Sequence, residues 1–124
     1  MSGLVGQVGA RSKLVGLNKT VKAYAVFSQS GTHDIGGSFN VSSVDDGGVG
    51  KSDINFITPM RNANYTVTTN HAEDNGSYAN YGAGSRVSAH RNPSREVGKV
   101  FLSCSLDEGS FTDMYTVDVI VCGD

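Results

Sequence analysis

The chain has 124 residues and a formal net charge of −2, and its acidic and basic residues are dispersed along the sequence. This pattern lacks the basic patch of a nucleic-acid-binding protein and the polybasic segment of a protein that binds a membrane surface. No run of about 20 apolar residues is present, so no membrane-spanning helix is predicted either.

Residues 1–19 differ in composition from the rest of the chain. Glycines separate short apolar stretches there, and glycine buries no side chain and loses the most backbone entropy on folding. The segment is therefore either a disordered terminus or an anchor that becomes ordered against a partner, and the regular occurrence of apolar residues favours the anchor. The residues expected to attach it are Leu4, Val5, Val8, Arg11, Leu14 and Val15.

The first half of the remaining chain predicts short strands joined by tight turns. Alternate residues form the inward face of the first strand: Val21, Ala23, Ala25 and Phe27. Gln29–Gly37 is predicted to be a loop or a short irregular strand, with Ile35 as its one buriable residue. Further strands are expected at about 38–44, 51–58 and 64–70. Within the strand at 38–44, Phe39 and Val41 share a face. The turn that follows begins at Asp45, with residue types that accept a positive φ.

The second half contains a long loop, a weak strand and a final hairpin. Residues 71–84 have no apolar alternation and many turn residues, which predicts a loop. A weak strand is expected at Arg86–Arg91. The stretches Val97–Leu106 and Met114–Cys122 are predicted to pair as a hairpin around residues 107–110.

Strands at this spacing predict an all-β fold, an antiparallel β-sandwich of the jelly-roll kind. Residues 1–19 would form a tail, and residues 20–124 the sandwich domain. The predicted core consists of alternating apolar residues: Val41, Ile54, Phe56, Val67, Leu102, Val117, Val119 and Val121.

The cysteines are expected to be free thiols. In the predicted hairpin Cys104 lies opposite Val117, too far along the strand to reach Cys122. The N-terminus also lacks the basic and continuous apolar regions of a signal peptide. The sequence therefore predicts synthesis in a cytoplasm, where disulfides are rare.

No enzymatic, metal or cofactor site is predicted. The segment Gly47–Ser52 resembles a phosphate-binding loop, but Asp45 stands where that motif needs glycine, and the context is a turn between strands. Asp45, Asp46 and Asp53 carry oxygens suited to calcium, although aspartate also favours turns without a metal. The three histidines lie far apart in the sequence, and no catalytic triad is apparent.

The loop at 71–84 contains the residues predicted to contact a ligand: Tyr78, Asn80 and Tyr81. Tyrosine rings stack on flat surfaces such as sugars, and the asparagine amide both donates and accepts hydrogen bonds. The alternative is that the tyrosines pack on the edge of the sandwich or against a neighbouring copy of the chain.

One block of residues resembles a known family. The order Ser38-Phe-Asn-Val-Ser-Ser-Val44, an Asp-x-Gly-x-Gly turn and Ala63-Asn-Tyr65 is similar to the C-terminal domain of bacteriophage tail-fibre and related virion proteins. The resemblance covers residues 20–124, with Tyr24 where the family often has tryptophan and with a longer polar insert at 71–95. It implies a small β-sandwich that is trimeric and lies on the surface of a virion.

The resemblance leads to two expectations for function. In the first, residues 1–19 attach to other virion proteins, and the sandwich adsorbs to a host-surface glycan or protein. In the second, the chain is a capsid decoration or cement protein with a purely structural role. A third possibility, a free carbohydrate-binding module, requires a secretion signal that the sequence lacks. A receptor-binding protein should expose its binding loops at the end farthest from residue 1.

Overall fold

The computed structural model of the protein describes residues 20–72, 85–89, 95–106 and 110–123, with 85–89 and 106 described by their backbone alone. Eight strands form: β1 Thr20–Phe27, β2 Ile35–Phe39, β3 Val41–Asp46, β4 Lys51–Phe56, β5 Thr66–Ala72, β6 Ser85–Ala89, β7 Lys99–Leu106 and β8 Thr116–Gly123. Over these ranges the structure contains no helix, and so none that could cross a membrane.

The strands form two antiparallel sheets of four strands each. Sheet A has the order β2-β1-β8-β5, and sheet B has the order β3-β4-β7-β6. Buried residues from both sheets belong to one core cluster, so the sheets pack face to face. The prediction of an all-β antiparallel sandwich is confirmed.

Alternation along β1 and β8 builds the centre of the core. Ala23, Ala25 and Phe27 are at most 2% exposed, and so are Val117, Val119 and Val121 on the neighbouring strand. The predicted core is confirmed, with Val67 packed against it as a partly buried residue. Val21 departs from the prediction and is exposed, because a bulge between Val21 and Ala23 shifts the register against β8.

The predicted strand at 38–44 is wrong, because the chain changes sheets at Asn40. Asn40 has a φ of 56°, which ends β2 in sheet A and starts β3 in sheet B. Its side-chain oxygen accepts a hydrogen bond from the Thr58 N–H at 2.7 Å, and its amide donates to the Lys22 carbonyl at 2.9 Å. Phe39 is therefore 53% exposed while Val41 is buried. The segment predicted to be a loop or a short irregular strand contributes its last residues, 35–37, to β2, and Ile35 is 38% exposed there.

The predicted final hairpin is also wrong. β7 lies in sheet B between β4 and β6, whereas β8 lies in sheet A between β1 and β5. The chain crosses between the sheets with Met114, whose side chain is fully buried in the core. Apolar burial between the sheets thus replaces local pairing of the two strands. Cys104 and Cys122 consequently lie in different sheets, and both are free thiols as predicted.

Candidate functional site

The strand pairing defines two ends of the sandwich, which carry different residues. Thr20 at the start of β1 pairs with Gly123 at the end of β8, and Phe27 at the end of β1 pairs with Val117. The N-terminal segment thus joins the domain at the Thr20 end. We call the opposite end, formed by residues 28–34, 47–50 and 110–115, the distal end.

The strands on either side of the residues predicted to contact a ligand have their ends at the distal end. Ala72, the last residue of β5, pairs with Thr116, and Ser85, the first residue of β6, pairs with Leu106. Tyr78, Asn80 and Tyr81 belong to residues 73–84, outside the described residues, but both strand ends that flank them are at the distal end. The proposed anchor residues, Leu4, Val5, Val8, Arg11, Leu14 and Val15, also lie outside the described residues, and their segment joins the domain at the other end.

A buried hydrogen-bond network holds the distal loops together. Gln29 exchanges hydrogen bonds with the Met114 backbone: its N–H donates to the Met114 carbonyl at 3.0 Å, and its Oε1 accepts from the Met114 N–H at 2.9 Å. Its Nε2 donates to the Ser52 hydroxyl at 3.0 Å, and His33 Nε2 lies 3.1 Å from the same hydroxyl. Because these groups are buried, the network fixes the loop after β1 against β4 and the crossing before β8.

The serine–histidine pair in this network is unsuited to nucleophilic catalysis. The Ser52 side chain is 0% exposed, so a substrate cannot reach its hydroxyl. His33 Nδ1 is buried without a hydrogen-bond partner among the described residues, so no carboxylate there orients the ring as a catalytic triad requires. The pair therefore acts as structural support for the distal loops.

The turn between β3 and β4 is clamped by backbone contacts. The Gly50 carbonyl accepts a hydrogen bond from the Cys104 N–H at 2.6 Å, and the Gly50 N–H donates to Asp113 Oδ1 at 2.7 Å. The Thr112 N–H in turn donates to the Cys104 carbonyl at 3.2 Å. The glycine-rich segment 47–50 is thus a tightly held turn that connects β3 and β4.

The surface of the distal end carries a groove of about 330 Å³. Its lining combines an aromatic ring, a carboxylate and hydroxyls: Val26, Phe27, Ser28, Ser30, Asp34, Gly36, Tyr115 and Thr116. Tyr115 is 43% exposed, and Asp34 is exposed while one of its oxygens accepts a hydrogen bond from Thr32 at 2.6 Å. An exposed ring beside hydrogen-bonding groups suits the apolar face and the hydroxyls of a sugar.

Further apolar side chains surround the hairpin turn at this end. Val49 is 62% exposed and Phe111 is 51% exposed. The Lys51 ammonium lies 4.6 Å from the centre of the Phe111 ring, which is a cation–π contact. The distal end therefore presents several exposed side chains that can contribute contact area to a ligand.

Asp45 and Asp46 of the β3–β4 hairpin are engaged separately, whereas Asp53 Oδ1 is buried without a hydrogen-bond partner among the described residues. Asp46 Oδ1 accepts a hydrogen bond from the Gly48 N–H at 2.8 Å, and Asp45 Oδ2 accepts from the Asn55 amide at 2.9 Å. Within the described residues, no group of three or more His, Cys, Asp or Glu side chains is positioned to hold a metal ion. The hairpin geometry thus accounts for Asp45 and Asp46 as turn and cross-strand residues.

Two buried acidic groups make the fold sensitive to alkaline pH. Burial raises the pKa of the Cys104 thiol to about 12, helped by the charge of Asp113 and opposed by a hydrogen bond with Gln29. Burial also raises the pKa of Tyr65 to about 12, against a hydrogen bond to the Glu96 backbone. Because its pKa is raised, the Cys104 thiol stays protonated near neutral pH and is not a reactive thiolate.

Stability is therefore expected to fall between about pH 9 and pH 12. A raised pKa in the folded state contributes stability below the unfolded pKa, and this contribution is lost as the pH rises through the folded value. Urea unfolding at about pH 8 and about pH 11 measures the loss, and Cys104→Ala should lessen it while leaving the part due to Tyr65. The same loss in both proteins would show that Cys104 does not contribute.

Comparison with profiles of known protein families, with curated proteins and with solved structures found no significant match.

The sequence predicted a loop at 71–84, but His71 and Ala72 are the last residues of β5, and residues 73–84 lie outside the described residues. It missed Asp34 and Tyr115. Asp34 follows β1 and Tyr115 precedes β8, and they line the same groove because those strands are neighbours in sheet A. The predicted pairing of β8 with β7 would have placed Tyr115 elsewhere. A prediction that the first and last strands pair would have brought these two residues to the same end of the sandwich.

Proposed function

We propose that the protein is a bacteriophage virion protein of the tail-fibre kind. Residues 1–19 attach it to other virion proteins, and the distal end of the sandwich adsorbs to a host-surface glycan. Three copies form the assembled unit. The protein is made in the host cytoplasm and has no enzymatic activity of its own.

The observation that carries this proposal is the separation of the two ends. The N-terminal segment joins at Thr20, while the groove with Tyr115 and Asp34 lies at the distal end. The strand ends flanking residues 73–84 lie there as well. A fibre protein needs this arrangement, since it must hold the particle at one end and meet the host at the other.

The distal loops also have the rigidity that a binding surface needs. Gln29 ties residues of the β1–β2 loop to the segment before Tyr115, and Ser52 joins the network from β4. A ligand that binds a preorganised groove does not have to order these loops. The buried network thus supports recognition without touching the ligand.

A second candidate function is that of a capsid decoration or cement protein. The exposed apolar residues on the outside of sheet A favour it, since such a surface marks contacts with other proteins. In that case the groove at the distal end would contact a neighbouring virion subunit instead of a host glycan.

Binding of the labelled full-length protein to a panel of bacterial surface polysaccharides tests the adsorption role. Tyr115→Ala should weaken binding about tenfold or more, because removal of an exposed aromatic anchor costs the stacking contact. Asp34→Asn should weaken it as well through the lost charged acceptor. Tyr24→Ala is the matched control, since Tyr24 is 41% exposed but lies on the outside of sheet A.

The pattern across these variants decides the outcome. A loss for Tyr115→Ala with unchanged binding for Tyr24→Ala supports adsorption through the distal groove. Equal losses for both tyrosines, or no binding of any polysaccharide by the unmodified protein, contradict it.

A further inference from the structure

The outside of sheet A carries an apolar surface around one carboxylate. Its residues, which we call the sheet A face, are Val21, Tyr24, Val26, Phe39, Asp118 and Ile120. The apolar members are between 38% and 53% exposed, and the Tyr24 and Phe39 rings stack with their centres 6.4 Å apart. Single exposed apolar residues are common, but a contiguous group on one sheet face marks a surface that something covers.

The register places these side chains in adjacent rows. Tyr24 pairs with Phe39 on one side and with Ile120 on the other, and Val26 pairs with Asp118. A groove of about 310 Å³ runs between β1 and β8 along these rows. Burial within this surface raises the pKa of Asp118 and is the single cause of the shift. A partner for this face therefore needs apolar side chains and a cation.

The N-terminal segment of the chain has this composition. Residues 1–19 contain Arg11, Lys13 and Lys19 and no acidic residue. Their apolar residues are separated by glycines, which allow a backbone to approach a flat sheet closely. The segment is thus complementary to the sheet A face in charge and in apolar character.

The segment also starts at the correct place and is long enough. It joins β1 at Thr20, next to Val21 at the edge of the face. Asp118 lies beside Val26, six residues along β1, a distance of about 20 Å at 3.3 Å per residue. The nine residues from Thr20 back to Arg11 span up to about 30 Å when extended, and Gly16 and Asn18 permit a reversal of direction.

We infer that residues 1–19 cover the sheet A face of their own chain in the free subunit, with Leu14 and Val15 over the row of Tyr24 and Ile120 and with Arg11 beside Asp118. The same chain is favoured over a second copy because the direct connection at Thr20 gives a high effective concentration. Two sheet A faces packed together would also bury two Asp118 carboxylates in one interface, which is unfavourable. The inference is independent of the proposed function; in a virion, attachment would exchange this contact for one with the particle.

Cys122 is a natural probe of this cover. It pairs with Val21, and it is half-buried on the same side of β8 as Asp118 and Ile120. Cys104 is 0% exposed with a raised pKa and should stay unreactive while the protein is folded. The rate at which a thiol reagent labels the folded full-length protein therefore reports the exposure of Cys122.

Charge reversal tests the pairing of Arg11 with Asp118. Arg11→Glu should speed the labelling of Cys122 about tenfold, because an attraction becomes a repulsion and the segment leaves the face. Arg61→Glu makes the same charge change at an exposed position elsewhere and should leave the rate unchanged. Asp118→Arg combined with Arg11→Glu should restore slow labelling, since the pair is then reversed but intact.

A second variant tests the apolar contact without changing charge. Leu14→Ser together with Val15→Ser should also speed labelling, and the slow rate of the unmodified protein should not depend on protein concentration. Equal rates in the Arg11→Glu and Arg61→Glu variants, with no effect of the serine changes, would overturn the inference. Slow labelling that appears only at high protein concentration would overturn it in favour of a second copy.

Discussion

Gly50→Ala is expected to destabilise the protein by about 2–5 kcal/mol. Gly50 has a φ of 68°, where an alanine side chain is strained. A Cβ atom there would also lie 2.5 Å from the Cys104 carbonyl oxygen and 2.8 Å from backbone atoms of Thr112. These neighbours are backbone atoms, so they cannot move aside without breaking the hydrogen bonds that clamp the turn.

Two other glycines separate the causes. Gly48 has a φ of 110° but open space around a Cβ, so Gly48→Ala should show the conformational strain without the clash. Gly37 has neither a positive φ nor a close neighbour, so Gly37→Ala should change stability by about 0.5 kcal/mol or less. Urea unfolding measures all three, and a loss for Gly50→Ala no greater than that for Gly48→Ala would disprove the clamp.

Phe56→Ala is expected to cost about 3–5 kcal/mol, because it leaves a cavity between the two sheets. Phe56 is 7% exposed, belongs to the core cluster and meets the Tyr65 ring edge to face with the centres 5.9 Å apart. Loss of both burial and the aromatic contact accounts for the magnitude.

Phe111→Ala is the matched control for this change. Phe111 is 51% exposed and contacts Lys51, so its removal should cost only about 0.5–1 kcal/mol. Chemical denaturation compares the two variants under one condition. A loss under about 1 kcal/mol for Phe56→Ala would place Phe56 outside the core.

The strands themselves were largely predictable because alternation is a local property of the sequence. Val117, Val119 and Val121 alternate with polar or exposed residues, and all three are buried as predicted. The β3–β4 hairpin was predictable for a similar reason, since its turn chemistry is concentrated at residues 45–50.

The assignment of strands to sheets was not predictable from local pattern. A strand that continues through Asn40 and one that breaks there have the same apolar alternation, and the break depends on contacts with Thr58 and Lys22. The crossing between β7 and β8 likewise depends on the burial of Met114 among core residues that are distant from it in the sequence. Hydrogen bonds such as that from Gln29 to Ser52 join residues that only the folded chain brings together.

The candidate site divides in the same way. Composition predicted residues 71–84 to be a long polar loop, whereas β5 includes His71 and Ala72. The strand ends on either side of residues 73–84 lie at the distal end. The groove with Asp34 and Tyr115 required the pairing of β1 with β8, which joins the first and last strands of the domain. Long-range strand pairing therefore limits what the sequence alone reveals about binding.

The location of the protein on a virus particle is the most direct test of the proposed function. Particles purified from the source culture would be labelled with gold-tagged antibodies raised against the full-length protein and imaged by electron microscopy. The proposal predicts gold at the tail fibres. Gold distributed over the capsid would contradict adsorption through the distal end and support the decoration role, and particles without gold would contradict both virion roles.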